Sequence, residues 1–211
     1  MTNQLKPLIL VFLLVSIGIP ISGPLSKGMT AESCPAVLAG LMPKNAVKVS
    51  GQYMPSEMIS MGSASADLPF TNICSNQTTR YPGHLTFEVQ HYTGDAVQML
   101  RMQVDSVEQQ TLQSKKAEFE KILKGVRGPN SKALSVSELK TEKVSGGTII
   151  YFDYYIDCSE GEKRSKPSTR LTGVAHTDST RITLNIDGFI SAEAARAAAV
   201  EVLTNFSKAR F

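Results

Sequence analysis

The sequence predicts an α+β protein, an antiparallel sheet with helices packed on one face. Three observations carry that prediction. Apolar residues alternate with polar ones along Leu85–Tyr92, Thr148–Cys158 and Thr180–Asp187, the period of a strand. Two capped helical stretches, ending near Val126 and Phe206, interrupt the strands. Runs of strands broken by helices, rather than strict alternation of the two, favour an antiparallel sheet.

The chain begins with a different composition. Lys6 is the only charged residue among the first 23, and Leu8–Ile19 (LILVFLLVSIGI) is an unbroken apolar or small run. Ser22 and Gly23 follow Pro20. A basic start, a short apolar core and a small-residue exit form the layout of a secretory signal peptide. The run falls short of the roughly 20 residues that span a bilayer. The expectation is therefore a signal peptide over 1–23 and one α+β domain over 24–211. Cleavage after Gly18 or near Gly23 both fit, and an uncleaved anchor is the competing reading. Removing Lys6 takes the formal charge from +3 to +2. Such a balance supplies no field for nucleic acid. The expected location is exported, periplasmic or secreted, without stable membrane insertion once the signal is removed.

Within the domain, Ser33 caps an expected short helix at Cys34–Leu41, with Pro35 in its first turn. Ala46–Tyr53 reads as a strand. The stretch 60–67 (SMGSASAD) reads as a loop, and Phe70–Cys74 as a short strand. Leu85–Tyr92 is the first clear strand, and Thr93-Gly94-Asp95 supplies turn chemistry. Ala96–Val104 (AVQMLRMQV) fits either a strand or the start of a helix. The strand is favoured, because Asp105-x-x-Glu108 and Ser106-x-x-Gln109 offer a fresh helix start with capping-box spacing. Leu112, Phe119, Leu123 and Val126 then form one apolar stripe, and Gly128-Pro129 ends the helix. The polar connection 129–147 has room for one more strand. Thr148–Cys158 (TIIYFDYYIDC) is the strongest strand in the chain. A charged loop follows at 159–168. Thr169–Thr177 and Thr180–Asp187 form a hairpin across Asp178-Ser179. Ser191 caps a final Ala-rich helix, Ala192–Phe206.

Strand–turn–strand–helix thus occurs twice, at 85–126 and 169–206, an expected duplication of architecture. This element order resembles that of PsbP-like domains, small exported or lumenal α+β proteins. The resemblance covers 85–206 and rests on element order. It implies an accessory or assembly role rather than catalysis.

Alternation also assigns the faces. Ile150, Phe152, Tyr154, Ile156 and Cys158 share one side of their strand, and Ile182, Leu184 and Ile186 share one side of theirs. These sides are expected to form the core under the Ala-rich helix. The other side carries Tyr151, Asp153, Tyr155, Arg170 and Arg181. It is either a solvated face or a surface for a protein partner, since interfaces favour Tyr and Arg.

Three cysteines allow one disulfide. Cys34–Cys74 is the expected pairing, as it tethers the loop-rich N-terminal region; Cys74–Cys158 is the alternative. No sequence signature of a P-loop, nucleophile elbow, zinc protease or dinucleotide site is present. No cofactor or metal is implied, and no catalytic residue is assigned. The leading reading is an exported non-catalytic protein of unspecified role, binding a protein partner or assisting envelope assembly. An enzyme using Cys158/His176 or Asp153/Asp157 is the alternative. A carrier of a small apolar ligand, with Met54, Met58 and Met61 lining its pocket, is another. Asn76 and Asn205 begin glycosylation sequons.

Overall fold

The computed structural model describes residues 34–69, 82–126, 137–155, 168–188 and 190–211, all within one compact unit, Ala31–Phe211. The expected signal peptide, the strand expected at 70–74, Cys74, Asp157, Cys158 and residues 159–167 of the expected charged loop lie outside the described residues.

The elements run α1 (Ala36–Ala39), β1 (Val47–Met54), β2 (Ile59–Leu68), β3 (Gly83–Tyr92), α2 (Asp95–Val126), β4 (Lys140–Val144), β5 (Gly147–Tyr154), β6 (Ser168–His176), β7 (Thr180–Gly188) and α3 (Ala192–Lys208). The strands form one antiparallel sheet in the order β1-β2-β3-β7-β6-β5-β4. The α+β class follows from the sequence pattern; the placement of the helices does not. They cover both faces of the sheet, not one.

The main core lies between the first face and helices α1 and α3. Leu85 and Phe87 of β3, Ile182, Leu184 and Ile186 of β7 and Leu171 of β6 point into it. They meet Ala195, Ala199, Val202, Leu203 and Phe206 of α3, all fully buried. Alanines at one side of α3 let the helix axis come close to the sheet, so larger strand residues fill the layer. Burial of each Leu, Ile or Phe contributes about 1.5–3 kcal/mol. Ser191 caps α3 as its type predicts, accepting a hydrogen bond from the Ala194 amide at 3.2 Å.

β2 occupies the stretch expected to be a loop. Its small residues alternate in the manner of a strand: Ser60, Gly62, Ala64 and Ala66 face the core. They are small because α1 presses there. A Cβ on Gly62 would sit 2.9 Å from the Leu38 side chain. Composition rich in Ser, Gly and Ala here reflects close packing, not a turn.

The second face carries a smaller core. Ile150 and Phe152 of β5 meet Phe119 of α2 there, with the Phe119 and Phe152 rings edge-to-face at 5.3 Å. The two sides of β5 are thus reversed relative to expectation: Ile149 and Tyr151 join the α3 core, and Ile150 and Phe152 lie under α2. α2 also begins earlier than expected. Ala96–Val104 is helix, because Ala96 and Leu100, four apart, bury against the sheet while Met99 and Met102 stay exposed. Gly94, at φ +54, makes the tight exit from β3 that lets the helix start at once. The first expected strand–turn–strand–helix is therefore a strand followed directly by a helix.

Candidate functional site

The five residues expected to form one partner surface are divided between the faces. Tyr151 and Asp153 lie on the α3 side and Tyr155 follows β5 half-buried, whereas Arg170 and Arg181 lie on the α2 side. A single Tyr/Arg surface does not exist.

Tyr151 and Asp153 are enclosed by cations. The Arg196 guanidinium stacks over the Tyr151 ring at 4.9 Å, and Lys140 lies 5.8 Å from it. Arg196 donates to Asp153 at 3.2 Å, and Lys140 pairs with the same carboxylate at 3.6 Å. The Tyr151 hydroxyl donates to Glu142 at 3.3 Å. Burial pushes the Tyr151 phenol above its ordinary pKa, with Arg196 pulling the other way. Asp153 also receives its ordering from the backbone, since its amide donates to Ser137 Oγ at 2.9 Å. The arrangement fastens α3 and β4 to β5; its polar groups are spent on each other.

Arg181 fastens α2 instead. Its guanidinium donates to Thr111 Oγ1 at 2.5 Å. One strand away, His176 Nδ1 lies 2.8 Å from Glu108, so the His176 of the Cys158/His176 pairing is engaged by a carboxylate of α2. Arg101 reaches Asp178 in the β6–β7 turn at 3.8 Å. His84 and His91 point to opposite faces, as their spacing predicts. His84 sits 3.6 Å from Asp67. His91 stacks on Phe211 on the core side.

The pairing registers arrange the second face as rows across five strands. One row reads Asp67, His84 and Asp187, with Arg170 of β6 3.8 Å from Asp187 and Lys48 of β1 paired to Asp67 at 2.9 Å. The next reads Ser50, Ser65, Thr86, Asn185 and Thr172. The last full row reads Met54, Met61, Gln90, Arg181 and His176. α2 lies over the β3, β6 and β5 part of this face. The β1–β2 part carries exposed side chains, ending in an apolar group of Met54, Met58, Ile59 and Met61. These methionines, expected to line a pocket, are 43–56% exposed.

Where α2 crosses the charged and hydroxyl rows, a cleft of about 230 Å³ opens. Thr86, Asn185, Asp187 and Arg170 form its floor, and Lys115 and Glu118 of α2 its wall. Of these, sequence reasoning singled out Arg170 alone. The others carry no local signal, because the site depends on β3 lying beside β7, a pairing between segments far apart in the chain.

Cys34 is half-buried, and burial pushes its thiol upward in pKa. The Cys34–Cys74 and Cys74–Cys158 pairings, like Asn76, fall outside the described residues. Asn205, the other sequon, directs its amide nitrogen at the Leu41 and Met42 carbonyls at 3.4 Å, so the atom a glycan would take is engaged in holding the turn after α1 to α3. Among the described residues no cluster of three or more metal-ligating side chains occurs, and no helix is long and apolar enough to cross a membrane.

No known family profile matches the chain, and neither the curated proteins nor the solved structures contain a significant match.

Proposed function

We propose that the chain is an exported, non-catalytic binding protein that holds a protein partner, or assists an envelope assembly, on the open β1–β2 half of the second sheet face. The observation that carries this reading is the exposed apolar group Met54, Met58, Ile59 and Met61 at the end of that hairpin. A contiguous exposed apolar group on a soluble domain marks an interaction surface more often than chance exposure does. Methionine suits such a surface, because its unbranched, polarizable side chain adapts to varied partners.

The chemistry of the partner follows from the neighbours. Lys48 and Asp67 pair at 2.9 Å on the adjoining strands, so these two opposite charges offset each other beside the apolar group. The fitting partner presents an apolar protuberance within an uncharged, hydroxyl-compatible rim. The accessory role is the one implied by the PsbP-like resemblance, whose expected element order holds over 169–206 (β6, β7, α3) and not over 85–126. Export itself is supported by the N-terminal pattern, and N-terminal sequencing of the protein recovered outside the cytosol tests it.

The test of the surface is a matched capture from the native compartment with the wild-type chain and with Met54→Lys/Met61→Lys. Both positions are exposed, so the double variant keeps the thermal midpoint. A partner held by the wild type and lost by the variant supports the reading. Equal retention of every partner by the variant overturns it.

A further inference from the structure

We propose that the cleft between α2 and the β3–β7–β6 face binds a small zwitterion of the free α-amino-acid class. This inference goes beyond the partner surface and uses a different part of the molecule.

Charge comes first. The cleft holds two cations, Lys115 and Arg170, and two carboxylates, Glu118 and Asp187. A site so balanced gives no advantage to a simple anion or a simple cation, each of which meets repulsion equal to its attraction. A ligand with both charges a few ångströms apart gains from both.

Unspent bonding capacity comes second. The Arg170 and Asp187 side chains form a loose ion pair at 3.8 Å, beyond hydrogen-bond length, and neither side chain makes a hydrogen bond to another described residue. Arg170 therefore retains its donor fork, the group best shaped to hold a carboxylate. Asp187 retains acceptors for an ammonium group. Asn185 accepts from Thr172 Oγ1 at 2.8 Å, which fixes the amide's orientation. Its NH₂ and the Thr86 hydroxyl have no partner among the described residues. On the wall, Lys115, partly buried, pairs with the exposed Glu118 at 2.8 Å.

Size comes third. The cleft, about 230 Å³, has room for a single amino acid. The buried Phe119 ring closes the inner end. The assignment is thus the carboxylate on Arg170, the ammonium on Asp187, and the side chain toward Thr86 and Asn185.

The test is titration calorimetry on the full chain with glycine, alanine and glutamine. Acetate, methylammonium and inorganic phosphate serve as singly charged or anionic comparisons. Saturable binding of a zwitterion, absent for acetate and methylammonium, is expected. Arg170→Gln and Asp187→Asn should each weaken it about tenfold or more. Lys140→Gln, outside the cleft, should leave it unchanged. Thr86→Val reads the same floor without altering charge and should weaken it by a smaller factor, which keeps the test open if a charge variant folds poorly. No saturable zwitterion binding, binding of phosphate alone, or zwitterion binding indifferent to all three cleft variants overturns the proposal.

Discussion

Ile149 and Ile150 are consecutive residues of β5 and are buried in opposite directions, one under α3 and the other under α2. The sheet is therefore the shared middle layer of two cores of unequal size. The larger contains Phe206, fully buried among the residues of α3 and the sheet. The smaller rests on Phe119, Ile150 and Phe152.

The inequality predicts separable stabilities. Phe119→Ala removes the central side chain of the smaller core, and its cost should lie near the low end of the about 3–5 kcal/mol typical for buried Phe. Amide exchange should quicken in α2 while β3 and β7 stay protected. Phe206→Ala should instead lower protection throughout the sheet. Uniform loss of protection in Phe119→Ala would show that α2 and the sheet open as one unit.

Substitutions along β7 should follow its alternation. Leu184 is fully buried, and Leu184→Asp should unfold the domain by burying an unpaired charge. Thr183 is half-buried on the other side, directly opposite Glu88. Thr183→Asp therefore places like charges on neighbouring strands and should cost up to about 1 kcal/mol without loss of fold. Thermal midpoints of the two variants check the contrast. A soluble Leu184→Asp protein with an unchanged midpoint would contradict the assignment of the main core.

How much of this was legible depended on whether the information was local. β3, β5, the β6–β7 hairpin and the Ser191-capped α3 follow from alternation and capping within each segment. β2 escaped because most of its core-facing positions are Ser, Gly and Ala, with Gly62 required by the closeness of Leu38 rather than by strand propensity. Ala96–Val104 escaped because Leu100, Met102 and Val104 match a strand period by coincidence, while the helix uses Ala96 and Leu100. The side of β5 that faces α3 was assigned from hydrophobicity, and Tyr151, despite its hydroxyl, belongs to the larger core. Arg170 was legible as a candidate. Its cleft partners Asp187, Asn185, Thr86 and Lys115 were not, since register and helix placement bring them together.

The Lys48–Asp67 pair gives an acid-limb prediction. The Lys48 ammonium, hydrogen-bonded at 2.9 Å, holds the Asp67 carboxyl below its ordinary range; partial burial opposes this, and His84 adds to the lowering. A depressed folded-state pKa contributes stability above the unfolded value, near 3.9, and loses it as pH falls through the folded value. Lys48→Met should flatten that acid limb, read as urea midpoints from neutral pH downward. Lys48 is 79% exposed, so at neutral pH the change should stay within about 1 kcal/mol. An acid limb identical to the wild type's would remove the pair from the account.

Tyr151 and Arg196 predict behaviour at the alkaline end. Burial raises the Tyr151 phenol and the Arg196 cation partly offsets it. A raised folded-state pKa means that the folded protein keeps a proton the unfolded chain releases near pH 10. Stability should therefore be intact below about pH 10 and decline as pH rises through the folded value. Tyr151→Phe should remove that decline and, by deleting the bond to Glu142, cost about 1 kcal/mol at neutral pH. Arg196→Ala should act in two ways. It leaves Asp153, 13% exposed, with Lys140 at 3.6 Å as its remaining cation, destabilising the domain by about 1–3 kcal/mol. It also removes the charge that lowers the phenol, so Tyr151 should ionise at still higher pH, followed by phenolate absorbance. An unchanged Tyr151 titration in Arg196→Ala would mean that the stacked guanidinium at 4.9 Å supports the ring by packing alone.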